Sequence, residues 1–219
     1  MAIISKLTII SIIAISFVFA FLAFYLMSSL SKEQRNKQIN EITSQLVNFV
    51  LFLWLAKILL NLPLFIQDPL AVLAYPSNSE AFYLATLFTA GLLFYQTRKR
   101  KIDGGLLAHS FVQVLLAASF VYEFIQLVWR DNPFSFYYLA VFGVLLVSFH
   151  LLQGRVSSQN QISIVLGIGA AGFFAISFLL PYLTLFGYIL EPWFLALMLA
   201  ACFGLLIGDP QNEPHTKSN

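Results

Sequence analysis

The sequence predicts an all-α fold, a polytopic transmembrane bundle of seven helices with its N-terminus outside and its C-terminus inside. Three observations predict it. Seven apolar runs cross the 219 residues. Only 10% of residues are charged against 59% apolar, and mean hydropathy is +0.83; a soluble domain carries about a quarter charged residues. The third observation is the placement of the twelve Lys and Arg residues. If the first run enters from outside, nine of the twelve (Lys32, Arg35, Lys37, Arg98, Lys99, Arg100, Lys101, Arg155, Lys217) fall inside. Lys6 and Arg130 fall outside and Lys57 lies within a span. Short cytoplasmic loops are enriched in Lys and Arg, which sets orientation.

A spanning helix needs about 20 mostly apolar residues. The first run, 7–28, satisfies this without a charge. A signal peptide is the rival reading, but its apolar core is usually about 7–15 residues, so the run is read as a retained helix. The polar stretch 32–41 is read as a loop, followed by a second span at 43–64. Residues 65–79 contain Pro69 and Pro76 and no basic residue, and they read as an outer interfacial or re-entrant segment. The third span, 80–97, stops at Arg98-Lys99-Arg100-Lys101. This run is read as a stop-transfer anchor, with contact to anionic headgroups as the alternative.

The fourth span, 105–129, is joined to the fifth, 134–153, by a tight outer turn at 130–133. The stretch 161–208 is too long for one helix. Pro181 and Pro192 divide it into spans at 161–181 and 188–208, because proline removes a helix hydrogen bond and clashes with the preceding turn. Residues 1–208 thus form one transmembrane domain, and 209–219 a disordered cytoplasmic tail. No strand pattern competes. Gly143 and the GIGAAG stretch at 167–172 are expected to permit close helix packing.

Composition also narrows function. The spans leave no room for a soluble catalytic domain. A formal charge of +2 gives no reason to expect a nucleic-acid partner. The single Cys202 allows no internal disulfide or CxxC pair. His109 and His150 lack carboxylates at ligand spacing, so no metal is expected, and no cofactor is implied.

Ionisable groups inside spans mark candidate sites. Lys57 and Glu123 fall at similar depths in the outer half, so an ion pair between them is geometrically possible. A Lys57 that snorkels outward alone is the alternative. His109, Gln113, Phe120 and Glu123 share one stripe of the fourth helix at about 100° per residue, which should face the bundle interior. Interhelical hydrogen bonds alone would also place it there. The expected cavity is lined by His109, Gln113, Glu123, Lys57, Arg130 and Tyr137.

The layout, together with Asn132 to Leu139 (NPFSFYYL) and the following Phe142 to Val147 (FGVLLV), resembles the bacterial prolipoprotein diacylglyceryl transferases. In that family a His-Pro-Thr-x-Leu-Tyr-Glu segment opens the fifth span, and Pro133 and Tyr137 match it; its Glu is replaced by Tyr138. Leu107-Ala-His109 stands where the family has Leu-Ala-Asp. The family's His-Gly-Gly-Leu-Ile-Gly stretch is replaced by FYLATLF at 82–88, and no basic residue occurs in 156–208. The resemblance implies a non-catalytic relative in a bacterial cell (inner) membrane. Its expected partners are a membrane lipid and other membrane proteins or lipoproteins. One alternative is a divergent transferase with Glu123 as base and Arg130 or Lys57 holding the phosphate. The other is a small transporter or channel subunit.

Overall fold

The computed structural model describes residues 2–74, 77–99, 101–197 and 200, and the side chains among them other than those of 2–7 and 74. Helix α1 (Ala2–Met27) is apolar throughout. Helix α2 (Lys32–Leu60) begins at Ser31, where a capping box forms. The Gln34 amide donates to Ser31 Oγ at 3.3 Å, and the Ser31 amide donates to Gln34 Oε1 at 3.4 Å. This Ser-x-x-Gln start satisfies two orphan backbone donors, and the strong helix formers behind it carry the helix through 32–41. The stretch expected as a loop is therefore the first part of α2. At about 1.5 Å per residue its 29 residues exceed the ~30 Å of a hydrocarbon core.

Two short helices follow, α3 (Leu62–Gln67) and α4 (Pro69–Ala74), in the segment expected to be interfacial. Asp68 Oδ1 accepts the Ala71 amide at 3.0 Å and starts α4. Helix α5 (Ser79–Arg98) is capped by Asn78, α6 (Gly104–Arg130) by Asp103, and α8 (Ser158–Ser177) by Ser157. Helix α7 (Ser135–Leu152) follows a four-residue turn in which Asp131 takes a left-handed φ of 49°.

Among the described residues, five helical stretches are long and apolar enough to cross a membrane. They are Thr8–Met27, Lys32–Leu60, Gly104–Arg130, Ser135–Leu152 and Ser158–Ser177. Large apolar side chains are exposed along them, among them Val18 at 66%, Leu26 at 70% and Phe174 at 67%. Such a surface suits hydrocarbon rather than water. The chain is a multi-pass membrane protein by these criteria. Helix α5 has the length of a span, but Glu80, three threonines, Gln96 and Arg98 make it more polar than the five.

The expected sixth span ends early, at Ser177, and the start of the seventh is not helical. Leu183–Leu185 (β1) pairs antiparallel with Tyr188–Leu190 (β2), joined by the two residues Phe186 and Gly187. Both have positive φ, 50° and 84°, as a type I′ hairpin turn requires. A short apolar run does not separate strand from helix by periodicity, which is why YLTLFGYIL at 182–190 reads as membrane helix. A helical segment, α9, covers 192–197. Most of the rest of the expected span to 208, Cys202 and the tail at 209–219 lie outside the described residues.

Helix α6 is central. It packs against α1, α7 and α8, and touches α2, which runs along α5. Gly169 and Gly172 admit Leu145 and Val141 of α7, where an added Cβ would lie 3.6 and 3.0 Å away. The hairpin closes one end of the bundle and belongs to all three apolar clusters. Phe186 packs with α1 and α6, Leu183 and Leu185 against α7 and α8, and Leu190 with Phe82, Tyr83 and Phe194. The opposite end carries Arg35, Arg98 and Lys99. There Arg35 lies over Tyr25 at 4.5 Å, Arg98 over Phe94 at 4.9 Å and Lys99 over Tyr95 at 5.7 Å.

Candidate functional site

Two tyrosines fasten the hairpin to the helices. Tyr83 Oη donates to the Ile189 carbonyl at 2.7 Å and accepts the Glu191 amide at 3.0 Å. Tyr138 Oη donates to the Tyr182 carbonyl at 3.3 Å and accepts the Thr184 amide at 3.0 Å. In each case one phenol satisfies a backbone donor and a backbone acceptor that a two-stranded ribbon leaves open. Burial pushes the Tyr188 phenol above its ordinary pKa, partly offset by the nearby Ser77 side chain.

The sequence-predicted residues fall into different surroundings. Lys57, 6% exposed, donates from Nζ to the Leu73 carbonyl of α4 at 3.1 Å. Glu123, 4% exposed, faces Ser135, the first residue of α7. That contact falls short of hydrogen-bond geometry, since Ser135 Oγ has no hydrogen-bond partner among the described residues; Ser119 Oγ, one turn before Glu123, has none either. Arg130 ends α6 as an exposed residue, and Tyr137 is exposed beside Phe136. Lys57 and Glu123 are each engaged elsewhere, on α4 and α7, rather than with one another.

His109 takes part in the packing between helices, with its ring 5.0 Å from that of Phe149. The Gln161 amide nitrogen donates to the Phe149 carbonyl at 2.7 Å, which turns Gln161 Oε1 toward His109 Nε2 at 3.1 Å. An amide oxygen only accepts, so His109 Nε2 carries the proton and donates. This chain of two bonds ties α6, α7 and α8 together.

Gln113 is placed differently. It lines a groove of about 450 Å³ between α1, α6 and α7, with Phe24, Met27, Ala117, Val147 and His150 among its neighbours. The lining is almost wholly apolar. Gln113 is 4% exposed, yet its carboxamide makes no hydrogen bond among the described residues. His150 Nδ1 lies 3.2 Å from the Leu146 carbonyl, so it carries the proton, and Nε2, an acceptor, has no partner there. At the basic end, Gln153 Nε2 donates to Ser29 Oγ at 3.1 Å and links the end of α7 to the segment after α1. A second, open cavity of similar volume lies at the hairpin end, lined by Asn78, Glu80, Tyr83, Glu191 and Trp193.

Of the six residues expected to share a cavity, Gln113 lines one of these two, and Lys57, Glu123, Arg130, His109 and Tyr137 line neither. The groove itself was not legible in the sequence. Its small walls, Ala23 and Ala117, look like ordinary packing positions until the distance between α1 and α7 is known. No group of three His, Cys, Asp or Glu side chains able to hold a metal is present among the described residues. Comparison with family models, curated proteins and solved structures yields no match.

Proposed function

We propose that this chain is a non-catalytic multi-pass protein of a bacterial cell membrane that binds a membrane lipid, with an acyl chain lying in the α1–α6–α7 groove. The observation that carries this reading is the groove itself. It is apolar, has a volume of about 450 Å³, and is walled by three helices long and apolar enough to span. Sites of about 300–1,000 Å³ with few polar groups are the usual form of small-ligand pockets. At this depth the surrounding solvent is hydrocarbon, so an acyl chain is the natural occupant. The reading keeps the lipid-binding part of the transferase resemblance without its chemistry. A glyceryl transfer would require a base and a phosphate-holding cation acting on one substrate. Glu123, Lys57 and Arg130 do not line this groove.

The test is native mass spectrometry of purified protein. Ala117→Trp fills the groove, and Ala140→Trp, on an exposed face of α7, is the control. Retained lipid should fall several-fold in the first and not in the second. Equal retention in both overturns the proposal. Orientation has its own test: a reporter fused at Lys101 should report the cytoplasm and one at Asn78 the exterior.

A further inference from the structure

We propose that the groove selects an uncharged lipid bearing both a carbonyl and a hydroxyl, and that Gln113 is the residue that reads them. The inference rests on the lipid-binding reading above and names the class of lipid. A carboxamide carries two N–H donors and a carbonyl acceptor, and leaving them unmet in hydrocarbon is costly. Gln113 is nonetheless 4% exposed, lines the groove, and is unpartnered among the described residues. A purely structural glutamine would be paired as Gln161 is, with His109 on one side and the Phe149 carbonyl on the other. Gln113 has instead an open volume beside it.

Depth fixes the charge of what meets it. Gln113 stands nine residues into α6, about 14 Å from the helix start at about 1.5 Å per residue. No Lys, Arg, Asp or Glu lines the groove. A phosphate brought to this depth would be a buried charge without a counter-ion, which is strongly unfavourable. An ester carbonyl accepting from the Gln113 amide, and a hydroxyl donating to its carbonyl, carry no such penalty. His150, on the α7 wall, adds a second acceptor. With Nδ1–H held by the Leu146 carbonyl, its Nε2 is a buried acceptor without a partner among the described residues, which a donor such as a hydroxyl would satisfy. His109, one turn before Gln113 on α6, lies with its ring 5.0 Å from Phe149, the neighbour of His150. The two groove residues therefore stand about one turn apart along the groove. The chemistry fits an acylglycerol or another hydroxylated ester lipid, with the chain running on past Ala117 and Phe120.

The probe is monoolein, in competition with a dioleoyl phospholipid, added to the full-length protein in mixed micelles and read by native mass spectrometry. The wild type should retain monoolein over the phospholipid by roughly tenfold, the discrimination expected from one or two net hydrogen bonds. Gln113→Leu should abolish the preference, and His150→Phe should reduce it. Gln113→Leu should also raise the thermal midpoint without monoolein, because it removes an unpartnered amide; a purely structural glutamine would lower it. Gln113→Met serves if the leucine variant does not fold. A wild-type preference for the phospholipid, or a preference unchanged in Gln113→Leu, overturns this inference while leaving lipid binding intact. No bound lipid of either kind, with Ala117→Trp without effect, instead overturns the reading on which it rests.

Discussion

Gln113 and Glu123 lie ten residues apart on α6, and each is 4% exposed. By burial alone they are equivalent, and by chemistry the carboxyl is the more conspicuous. Their surroundings reverse that order. Glu123 lies where α7 begins, beneath an end of the bundle that the hairpin closes. Gln113 opens onto a groove lined by α1, α6 and α7. The difference teaches that a buried polar side chain becomes a binding group only where space adjoins it. His109 completes the comparison: it is polar, on the same helix, and hydrogen-bonded through Nε2 to Gln161.

The comparison can be broken most forcefully at the hairpin. Replacing both Tyr83 and Tyr138 by Phe removes four hydrogen bonds to the hairpin and its flanks. At roughly 1 kcal/mol each this should cost about 2–4 kcal/mol, seen as a lower thermal midpoint in detergent. A lipophilic carbodiimide should then label Glu123 in the double variant and leave it unlabelled in the wild type. Labelling of the wild type at the same rate would mean that its surroundings are already open. Gly187→Val should act in the same direction at about 1–3 kcal/mol, since φ is 84° and an added Cβ would lie 3.4 Å from Tyr122 Oη.

A smaller effect separates the two polar residues by access. In a Cys202→Ser background, Gln113→Cys should react with a membrane-permeant maleimide several-fold faster than Glu123→Cys. Equal rates would erase the distinction between groove and closed end. The smallest effect is expected at Arg130→Ala, an exposed position, within about 0.5 kcal/mol of wild type. A loss of several kcal/mol there would mean that Arg130 supports the Glu123 end after all.

Much of the fold is legible from local signals. The apolar runs near 7–28, 105–129, 134–153 and 161–181 correspond to α1, α6, α7 and α8, because run length and turn residues act over a few residues of chain. Glycines 169 and 172 sit at a close approach of helices, as small residues in spans suggest. The loop expected at 32–41 is helical for a reason also present in the chain: Ser31 and Gln34 form a capping box, which polarity alone does not reveal. The hairpin is harder. Its strands are three residues each, apolar like the spans around them, and held by tyrosines roughly 45 to 105 residues away. No local pattern carries that information. The stripe of α6 was visible, but which of its members faces a neighbour and which a groove depends on the spacing of α1 and α7.

The sequence by itself determined that this is a protein of membrane-length helices, with most of its positive charge gathered in a few short stretches outside the apolar runs. Both properties follow from composition along the chain, since hydrocarbon tolerates few charges and each helix satisfies its own backbone. Only the tertiary structure decided that Glu123 meets the start of α7, that Lys57 serves α4, and that Gln113 is left facing open volume. Those outcomes depend on distances between helices, which pairwise packing sets and no single helix encodes.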